Sequence, residues 1–362
     1  MFITLLLSLL GFSLSLYLLS NISFIYLNKY QKSRCKSSEE KPVSIVICAH
    51  NEAKNLHNNL PKILQQELKQ FEVIVVNDHS TDETQTILEK FQLKFPRLKP
   101  IQLSGQQPRK RQALLAGVEA SKYDYLVFTD ADCQPSSPDW ANLMTQNLSS
   151  NIQLILGVSP YKTKTGWLNA LIQLETTSTA IQYINFARLK NAYMGVGRNL
   201  AVVKSAFVKY NRFNLDQHLE SGDDDMLIQR FPKENIGVQT DERAFTESEP
   251  KTKLKQWIIQ KQRHYTTAPN YHLSQKLELG VIGLAKVSAF ISIIGLSFTE
   301  YWHLALISLI TIWSLQIAVF INHKSFIKSL KILLLWPILE LNLVILQLYI
   351  LILNQFKPPK YW

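Results

Sequence analysis

The sequence predicts an α/β protein, with a mostly parallel sheet in a central domain and membrane-spanning helices on either side. Three observations carry this expectation. Strand and helix signals alternate from about Lys41 to about Gln275. Long uncharged apolar segments stand at both ends of the chain. Between them, Tyr125-Leu126-Val127-Phe128 reads as a strand buried on both faces, and it runs into two carboxylates, Asp130 and Asp132.

From Phe2 to Leu27 there is no charged side chain, which is long enough for a helix to span a bilayer. A secretory signal would have a shorter apolar core preceded by positive charge. The expectation is therefore an uncleaved anchor over 1–28, then a basic linker over 29–40 with Lys29, Lys32, Arg34 and Lys36. The central domain, 41–275, opens with a strand at Val43–Cys48. A helix is expected over Asn55–Leu68, with Leu56, Leu60, Ile63, Leu64 and Leu68 at helical spacing and Pro61 weakening its first turn. Phe71–Val76 reads as the second strand, Thr84–Phe95 and Arg109–Ala120 as further helices, and Gln134-Pro135 as the stop after the Asp-x-Asp strand. This order argues for parallel pairing with right-handed crossovers.

The apolar segments Leu277–Phe298, Trp302–Ile321 and Ile332–Leu353 make 276–356 a membrane region of about three helices. Positive residues stay on the cytoplasmic side. With the N-terminus outside, both the linker and the loop carrying His323, Lys324, Lys328 and Lys331 become cytoplasmic. The expectation is a multi-pass protein of the cell (inner) membrane with its central domain in the cytoplasm. Lys357 and Lys360 then fall outside, against the trend, and the last segment, containing Pro337, either spans or re-enters. Lys286 and Glu340 both lie about 12–14 Å deep, and charges at such depth pair or line a polar path. They are expected to face one another or a shared polar path. The net charge of +11 is assigned to lysines beside anionic lipid, with no nucleic-acid partner. Cys35, Cys48 and Cys133 are odd in number and lack metal-ligand spacing, in keeping with a reducing compartment.

The same order places the polar clusters. Asn51-Glu52 follows the first strand, Asn77-Asp78-His79-Ser80 the second, and Asp130 with Asp132 a later one, so all three converge on the carboxyl edge of one sheet. Ligands bind there in open α/β sheets. Two hard oxygen ligands at such an edge can hold a divalent cation, which in turn neutralises a diphosphate. Asp82 is expected to cap a helix while Asp78 serves the ligand.

These residues resemble the membrane-bound inverting glycosyltransferases of the GT-A fold, a Rossmann-like family that includes cellulose, chitin and hyaluronan synthases and ceramide glucosyltransferase. The resemblance covers nearly the whole chain. Val43–Glu52 is similar to the family's first strand and nucleobase-binding turn, so Asn51 and Glu52 are implied in nucleotide-sugar binding. In Val75–Asp82, Asp78 is implied to hold the base or ribose. Lys110, in Lys110–Gly117, would reach the donor nucleotide. Asp130-Ala131-Asp132 matches the family's Asp-x-Asp, which implies Mg2+ or Mn2+ on the diphosphate, with Asp132 and Asp130 as the metal-side carboxylates. Ser221-Gly222-Asp223-Asp224-Asp225 resembles Gly-Asp-Asp-Arg with Asp225 in place of arginine, and it implies Asp224 as general base beside Asp223. A carboxylate cluster can hold one member near neutral pKa, as a base requires. Gln260-Lys261-Gln262-Arg263-His264 resembles Gln-x-x-Arg-Trp with His264 at the tryptophan position. It implies Gln260 and Arg263 in catalysis, Arg263 stabilising the leaving nucleotide. Gly195–Asn199 stands where the family has an acceptor-side loop.

The resemblance implies a hexosyltransferase-type enzyme acting from a nucleotide-sugar donor, UDP-linked, on a lipid-linked or saccharide acceptor at the membrane, with inversion and metal assistance. The alternatives are a processive polysaccharide synthase and a non-catalytic nucleotide-sugar-binding assembly protein. A glycoside hydrolase would use paired carboxylates but leaves the lysine, the arginine and the membrane segments without a role. A nucleotidyltransferase leaves Gln-x-x-Arg unexplained. His264 offers less stacking surface than tryptophan, which favours addition of one or a few sugars, although Tyr265 stands one position on.

Overall fold

The structure is a computed structural model that describes residues 2–31, 39–103, 109–211 and 222–357. Lys32, Arg34, Cys35, Lys36, Ser221 and Lys360, named above, lie outside the described residues. Helix α1 (Phe2–Gln31) comes first. Then β1 (Val43–Ala49), α2 (Ala53–Leu64), β2 (Phe71–Asn77), α3 (Thr84–Lys94), β3 (Leu98–Gln102), α4 (Lys110–Ala120) and β4 (Tyr125–Asp130) alternate. β5 (Cys133–Pro135), α5 (Trp140–Thr145), β6 (Leu154–Leu156), α6 (Trp167–Arg188), β7 (Leu200–Val203), α7 (Lys204–Tyr210), α8 (Asp223–Arg230), β8 (Ile236–Val238) and β9 (Thr246–Ser248) follow. The chain ends with α9 (Leu254–Tyr265), α10 (Leu273–Ser297), α11 (Trp302–Asn322), α12 (Lys331–Leu334) and α13 (Trp336–Phe356). Two compact units emerge. One holds Cys35–Lys162 and Phe186–Glu249, the other Met1–Arg34, Thr163–Asn185 and Pro250–Trp362. The region expected over 41–275 contributes chain to both.

In the first unit seven strands run in the order β3-β2-β1-β4-β7-β6-β8. β3, β2, β1 and β4 are mutually parallel, and Ile45 stands opposite both Val73 and Val127. β7 is antiparallel to β4 and β6. Every residue of β2, and all but one of β1, is buried, as a strand covered on both faces requires. Gly117 lets α4 lie close on this sheet. A β-carbon there would collide with Val46 and stand 3.2 Å from Val76 Cγ2.

Three local expectations are corrected. α2 ends at Leu64, not Leu68, and Pro61 falls in its last turn, not its first. Proline offers no N–H and crowds the carbonyl four residues back, so it weakens the turn before it, and the helix continues only three residues beyond. After Asp132 the chain does not simply stop at Gln134-Pro135. It enters β5, which pairs with β9 in a separate two-stranded sheet. β3 had no counterpart in the sequence reading. It carries Pro100 and only partial burial, which the edge of a sheet tolerates.

Among the described residues, the second unit contains four helices long and apolar enough to cross a membrane: Ile3–Tyr26 within α1, then α10, α11 and α13. α1 is tied to α10 by a 2.6 Å Ser13–Ser288 hydroxyl contact and to α11 by Gln316 Nε2 donating to Asn21 Oδ1 at 3.0 Å. Lys286 Nζ lies 2.6 Å from Glu340 Oε1, the pairing that their depths predicted. The expected segment Ile332–Leu353 divides into α12 and α13, with Pro337 in the first turn of α13, where a missing N–H costs nothing. α13 starts level with the middle of α10, through Glu340 and Lys286, and ends against α9. Asn354 Nδ2 donates to Gln262 O at 3.1 Å, and Gln262 Nε2 donates to Lys357 O at 3.1 Å. Its far end therefore lies toward the end where α10 begins.

Candidate active site

The parallel strands β1, β2 and β4 end side by side, so the polar residues that follow them share one edge. Asn51 takes up left-handed backbone with φ 57° and His79 with φ 58°, which turns both loops sharply at the strand ends. The two loops are stapled together. Asn51 N–H donates to Ser80 Oγ at 2.9 Å, and Asn51 Oδ1 accepts from Thr81 N–H at 2.8 Å. Asp82 holds the first turns of two helices, accepting from Ala53 N–H at 3.1 Å and Thr84 N–H at 3.0 Å. Those bonds, working against burial, keep its carboxyl below the usual range. Asp82 is thus a capping residue, as the sequence suggested.

Asp78 is buried. Its N–H donates to Ala49 O at 2.8 Å, and its Oδ1 lies 2.8 Å from His79 Nδ1. The outer ring nitrogen of His79, Nε2, is buried without a partner. Glu52 accepts from Asn55 Nδ2 at 2.5 Å. Burial and the nearby charges of Asp132, Asp130 and Asp82 nonetheless push its carboxyl up.

Asp130 is the last residue of β4, and Lys110, at the start of α4, reaches it at 2.8 Å. Burial favours the neutral acid, but the Lys110 ammonium outweighs it and holds the Asp130 carboxyl low. Lys110 is in turn held in its charged form despite desolvation, chiefly by Asp130, with Asp224 contributing. Asp132 Oδ1 accepts from Cys133 Sγ at 3.2 Å. Burial, followed by these two aspartates, pushes that thiol well up.

The Gly195–Asn199 loop runs beside this edge. Asn199 is fully buried, donating to Val158 O and Ala244 O and accepting from Trp140 Nε1 at 3.0 Å. Arg198 donates to Ser159 Oγ at 2.8 Å, Ser159 O at 2.7 Å and Tyr161 Oη at 2.9 Å, its guanidinium 4.5 Å from the Tyr161 ring centroid. Burial works against its charge, and Tyr161, Cys133 and Asp132 outweigh that. Sequence reasoning missed Ser159 and Tyr161, since neither belongs to a motif, and read Cys133 only as a cysteine without metal-ligand spacing. Arg198 and Asn199 were visible only as part of a loop.

Gly222, at φ 84°, turns the chain into α8, whose first turn is Asp223-Asp224-Asp225. Acidic residues suit a helix N-terminus. Asp225 is buried, and Asp224 Oδ2 accepts from Gly197 N–H at 2.7 Å. A β-carbon at 197 would stand 3.2 Å from that oxygen, so glycine lets the loop close on the carboxylate. The side chain of Asp223 lies outside the described atoms.

The structure thus brings Asn51, Glu52, Asp78, Lys110, Asp130, Asp132 and Asp224 into the sheet unit. Gln260 and Arg263 belong to α9 of the helical unit. There Lys261 and Glu175 form a buried ion pair at 2.6 Å, and Arg263 Nε is buried without a partner. Burial, with Glu175 adding, raises Tyr265, and His264 is exposed.

Among the described residues no group of three His, Cys, Asp or Glu side chains forms a ready cage for a metal. The donors that are present nevertheless suit one class of ion. Asp130 and Asp132 are hard oxygen ligands within a negative cluster that raises Glu52. Mg2+ and Mn2+ take one or two carboxylates and complete their shells with water and phosphate oxygens.

Residues 44–210 match the family model described as Glycosyl transferase family 2. The chain carries a glycosyl transferase family 2 domain. Among curated relatives, the poly(ribitol-phosphate) beta-N-acetylglucosaminyltransferase TarP of Staphylococcus aureus is 28% identical over 123 residues, 32% of this chain and 36% of TarP. The glycosyltransferase AglE of Haloferax volcanii is 26% identical over 189 residues, 50% of this chain and 58% of AglE. The chain therefore spans less than two thirds of either. Among solved structures, the mannosyltransferase PcManGT of Pyrobaculum calidifontis, in complex with GDP-Man and Mn2+, aligns with a TM-score of 0.56 at 14% identity. The alignment covers 87% of this chain and 98% of that one. The family 2 domain has the GT-A fold, a mostly parallel seven-stranded sheet.

Proposed function

We propose that this protein transfers a hexose from a nucleotide-sugar donor, UDP-linked, to a lipid-linked or saccharide acceptor at the membrane, with inversion at the anomeric carbon. One observation carries the reading. The expected base Asp224 is held by Gly197 N–H and acts electrostatically on Lys110, which itself touches Asp130 at the strand end. Base, cation and strand-end carboxylate thus share one edge of the sheet unit.

In this reading Asp224 takes the proton of the acceptor hydroxyl as its oxygen attacks the anomeric carbon from the face opposite the diphosphate. The bond from that carbon to the diphosphate breaks, and a nucleoside diphosphate leaves. Asp130 and Asp132 would hold Mg2+ or Mn2+, which supplies charge neutralisation for the diphosphate. Lys110, charged and only partly covered, exchanges Asp130 for a phosphate oxygen when donor binds. Asn51, Glu52 and Asp78 receive the nucleoside, and the unpartnered Nε2 of His79 offers one further polar contact there. Arg263 is assigned to the leaving diphosphate and Gln260 to the same motif; a buried Nε without a partner supports an anionic ligand for Arg263. Asp223 assists Asp224.

The sheet unit is placed in the cytoplasm, with α1 entering from outside. The basic loop after α11 supports this, and so does the course of α13, which returns Lys357 toward the end where α10 begins. On the same reading, the membrane is the cell (inner) membrane.

The test is a panel of nucleotide sugars offered to purified protein in detergent with Mn2+. Release of nucleoside diphosphate that requires one donor is expected, and sizing of the product separates single transfer from polymer synthesis. Release of pyrophosphate would replace this reading with nucleotidyl transfer. Donor binding without release would leave a binding protein.

A further inference from the structure

Helix α9 carries Gln260 and Arg263, and the helical unit grips it along another flank. Residues four apart share one side of a helix, so Trp257, Lys261 and Tyr265 form a stripe. Lys261 Nζ lies 2.6 Å from Glu175 Oε2 of α6, and each of the two side chains is only 10% exposed. Thr179, one turn on in α6, donates to Glu175 Oε1 at 3.3 Å and steadies the carboxylate. Trp257, buried, has its ring centroid 6.0 Å from the Lys261 ammonium. Gln347 of α13 hydrogen-bonds the Tyr265 side chain. The proposed transfer chemistry uses none of these groups. Taking two charges out of water is expensive, and an apolar pair of similar volume often serves stability as well. An ion pair adds direction. Apolar contact has no preferred direction, whereas a buried pair at 2.6 Å fixes how far α9 can roll.

We propose that Glu175 and Lys261 are positioning residues, which set the roll of α9 and so hold Gln260 and Arg263 in the orientation that transfer requires. Their role depends on the reading that gives Arg263 the leaving diphosphate. With about 100° between successive residues, Gln260 and Arg263 lie roughly 100° and 160° round the helix from Lys261, on one shared flank. The face held by α6 is therefore separate from the face that carries the motif. Arg263 Nε is buried without a partner, so no bond at that atom aims the side chain, and the roll of the helix does. At the roughly 5–6 Å radius of a helix with its side chains, a roll of about 5° moves a residue by about 0.5 Å. If a 1 Å misplacement costs about 10²-fold, half of it costs about tenfold.

The experiment uses the full-length protein in detergent with Mn2+ and the donor that the nucleotide-sugar panel selects, and reads nucleoside diphosphate release. Glu175→Gln strands the Lys261 ammonium and endangers the fold, so the paired replacement Glu175→Leu/Lys261→Met decides. It should melt within a few degrees of the parent yet turn over about tenfold more slowly, with the donor KM changed less than about twofold. Arg263→Ala alone should lose about 100-fold. In the Arg263→Ala background the paired replacement should cost less than about twofold more, because it acts through that arginine. Parental turnover in the paired variant overturns the positioning role. So does a tenfold loss that persists without Arg263, or a melting temperature that falls in step with the rate, since the pair then serves stability alone. Arg263→Ala turning over like the parent instead removes the assignment of Arg263, and the positioning role with it.

Discussion

Asp224 offers the sharpest test of the proposed chemistry, because the structure supplies two perturbations of different size. Asp224→Asn keeps an oxygen able to accept from Gly197 N–H, now 2.7 Å away, so the loop and the first turn of α8 should stay in place. It removes the base. Loss of a positioned general base costs about 10²–10⁴ in rate. Gly197→Ala leaves the carboxylate but crowds it. A methyl group there stands 3.2 Å from Asp224 Oδ2 and 3.3 Å from its Cβ, so the carboxylate must retreat by a few tenths of an ångström. If a 1 Å misplacement costs about 10²-fold, a shift of this size costs on the order of 4-fold. Nucleoside diphosphate release at saturating donor and acceptor gives turnover, and calorimetry gives donor affinity. Asp224→Asn should lose at least 100-fold in turnover with donor affinity nearly unchanged, and Gly197→Ala should fall between it and the parent. An Asp224→Asn enzyme that keeps most of its turnover would refute the assignment and move the base to Asp223 or Asp225. Equal damage from both variants would mean that the loop had collapsed.

Asp132→Ala should leave the fold intact, since the residue follows β4 rather than packing within it, yet calorimetry should show nucleotide affinity no longer strengthened by Mn2+; unchanged metal-dependent affinity would sink the metal-side role. Lys233 donates to Ile228 O at 2.7 Å and Gln229 O at 3.2 Å, at the end of α8, and burial pulls it down to about 8. Between pH 8 and the unfolded value near 10.5, the unfolded chain binds the extra proton, so this group's contribution makes stability rise with pH across that window. Thermal denaturation of Lys233→Met should lack that rise relative to the parent, and matching pH profiles would refute it. Glu340→Gln should destabilise by on the order of 3 kcal/mol by leaving Lys286 uncompensated, with much of the loss restored in the Lys286→Met/Glu340→Leu double variant. A double variant no more stable than the single one would show that the pair acts through packing alone.

The sheet was legible in the sequence because its central strands are apolar on both faces and its loops carry charge. Val43–Ala49 and Phe71–Asn77 leave almost no side chain outside the core, so period and composition agree. β3 was not legible, because Lys99 and Pro100 dilute a five-residue edge strand. The three-residue strands β5 and β9 hold each other only through pairing across more than a hundred residues, which no local pattern reports. In the candidate site, carboxylates and lysine stood in recognisable motifs. The groups that orient them did not. Ser159 and Tyr161 fix Arg198, Gly197 fixes Asp224 through a backbone N–H, and Asn199 pins the loop between Trp140 and Ala244. Each depends on tertiary contacts, and a serine or tyrosine outside a motif gives no sign of them.

The last apolar segment shows the same limit on a larger scale. Length and hydropathy make α13 a candidate span, and on that basis Lys357 and Lys360 fall on the side that basic residues avoid. Contacts give α13 another course. It begins beside Lys286, near the middle of α10, and finishes against Gln262 of α9, before α10 starts. A helix that crossed fully would finish near the α10–α11 turn instead. We therefore expect α13 to re-enter, leaving both basic loops and the lysine tail on one face and removing the conflict. Single cysteines at Phe356, exposed at the end of α13, and at Glu300, in the α10–α11 turn, test this in a background with Cys35, Cys48 and Cys133 changed to serine. An impermeant maleimide should label Glu300→Cys in intact cells and Phe356→Cys only in inverted vesicles. Labelling of Phe356→Cys from outside would make α13 a full span and return the tail lysines to the wrong side of the bilayer.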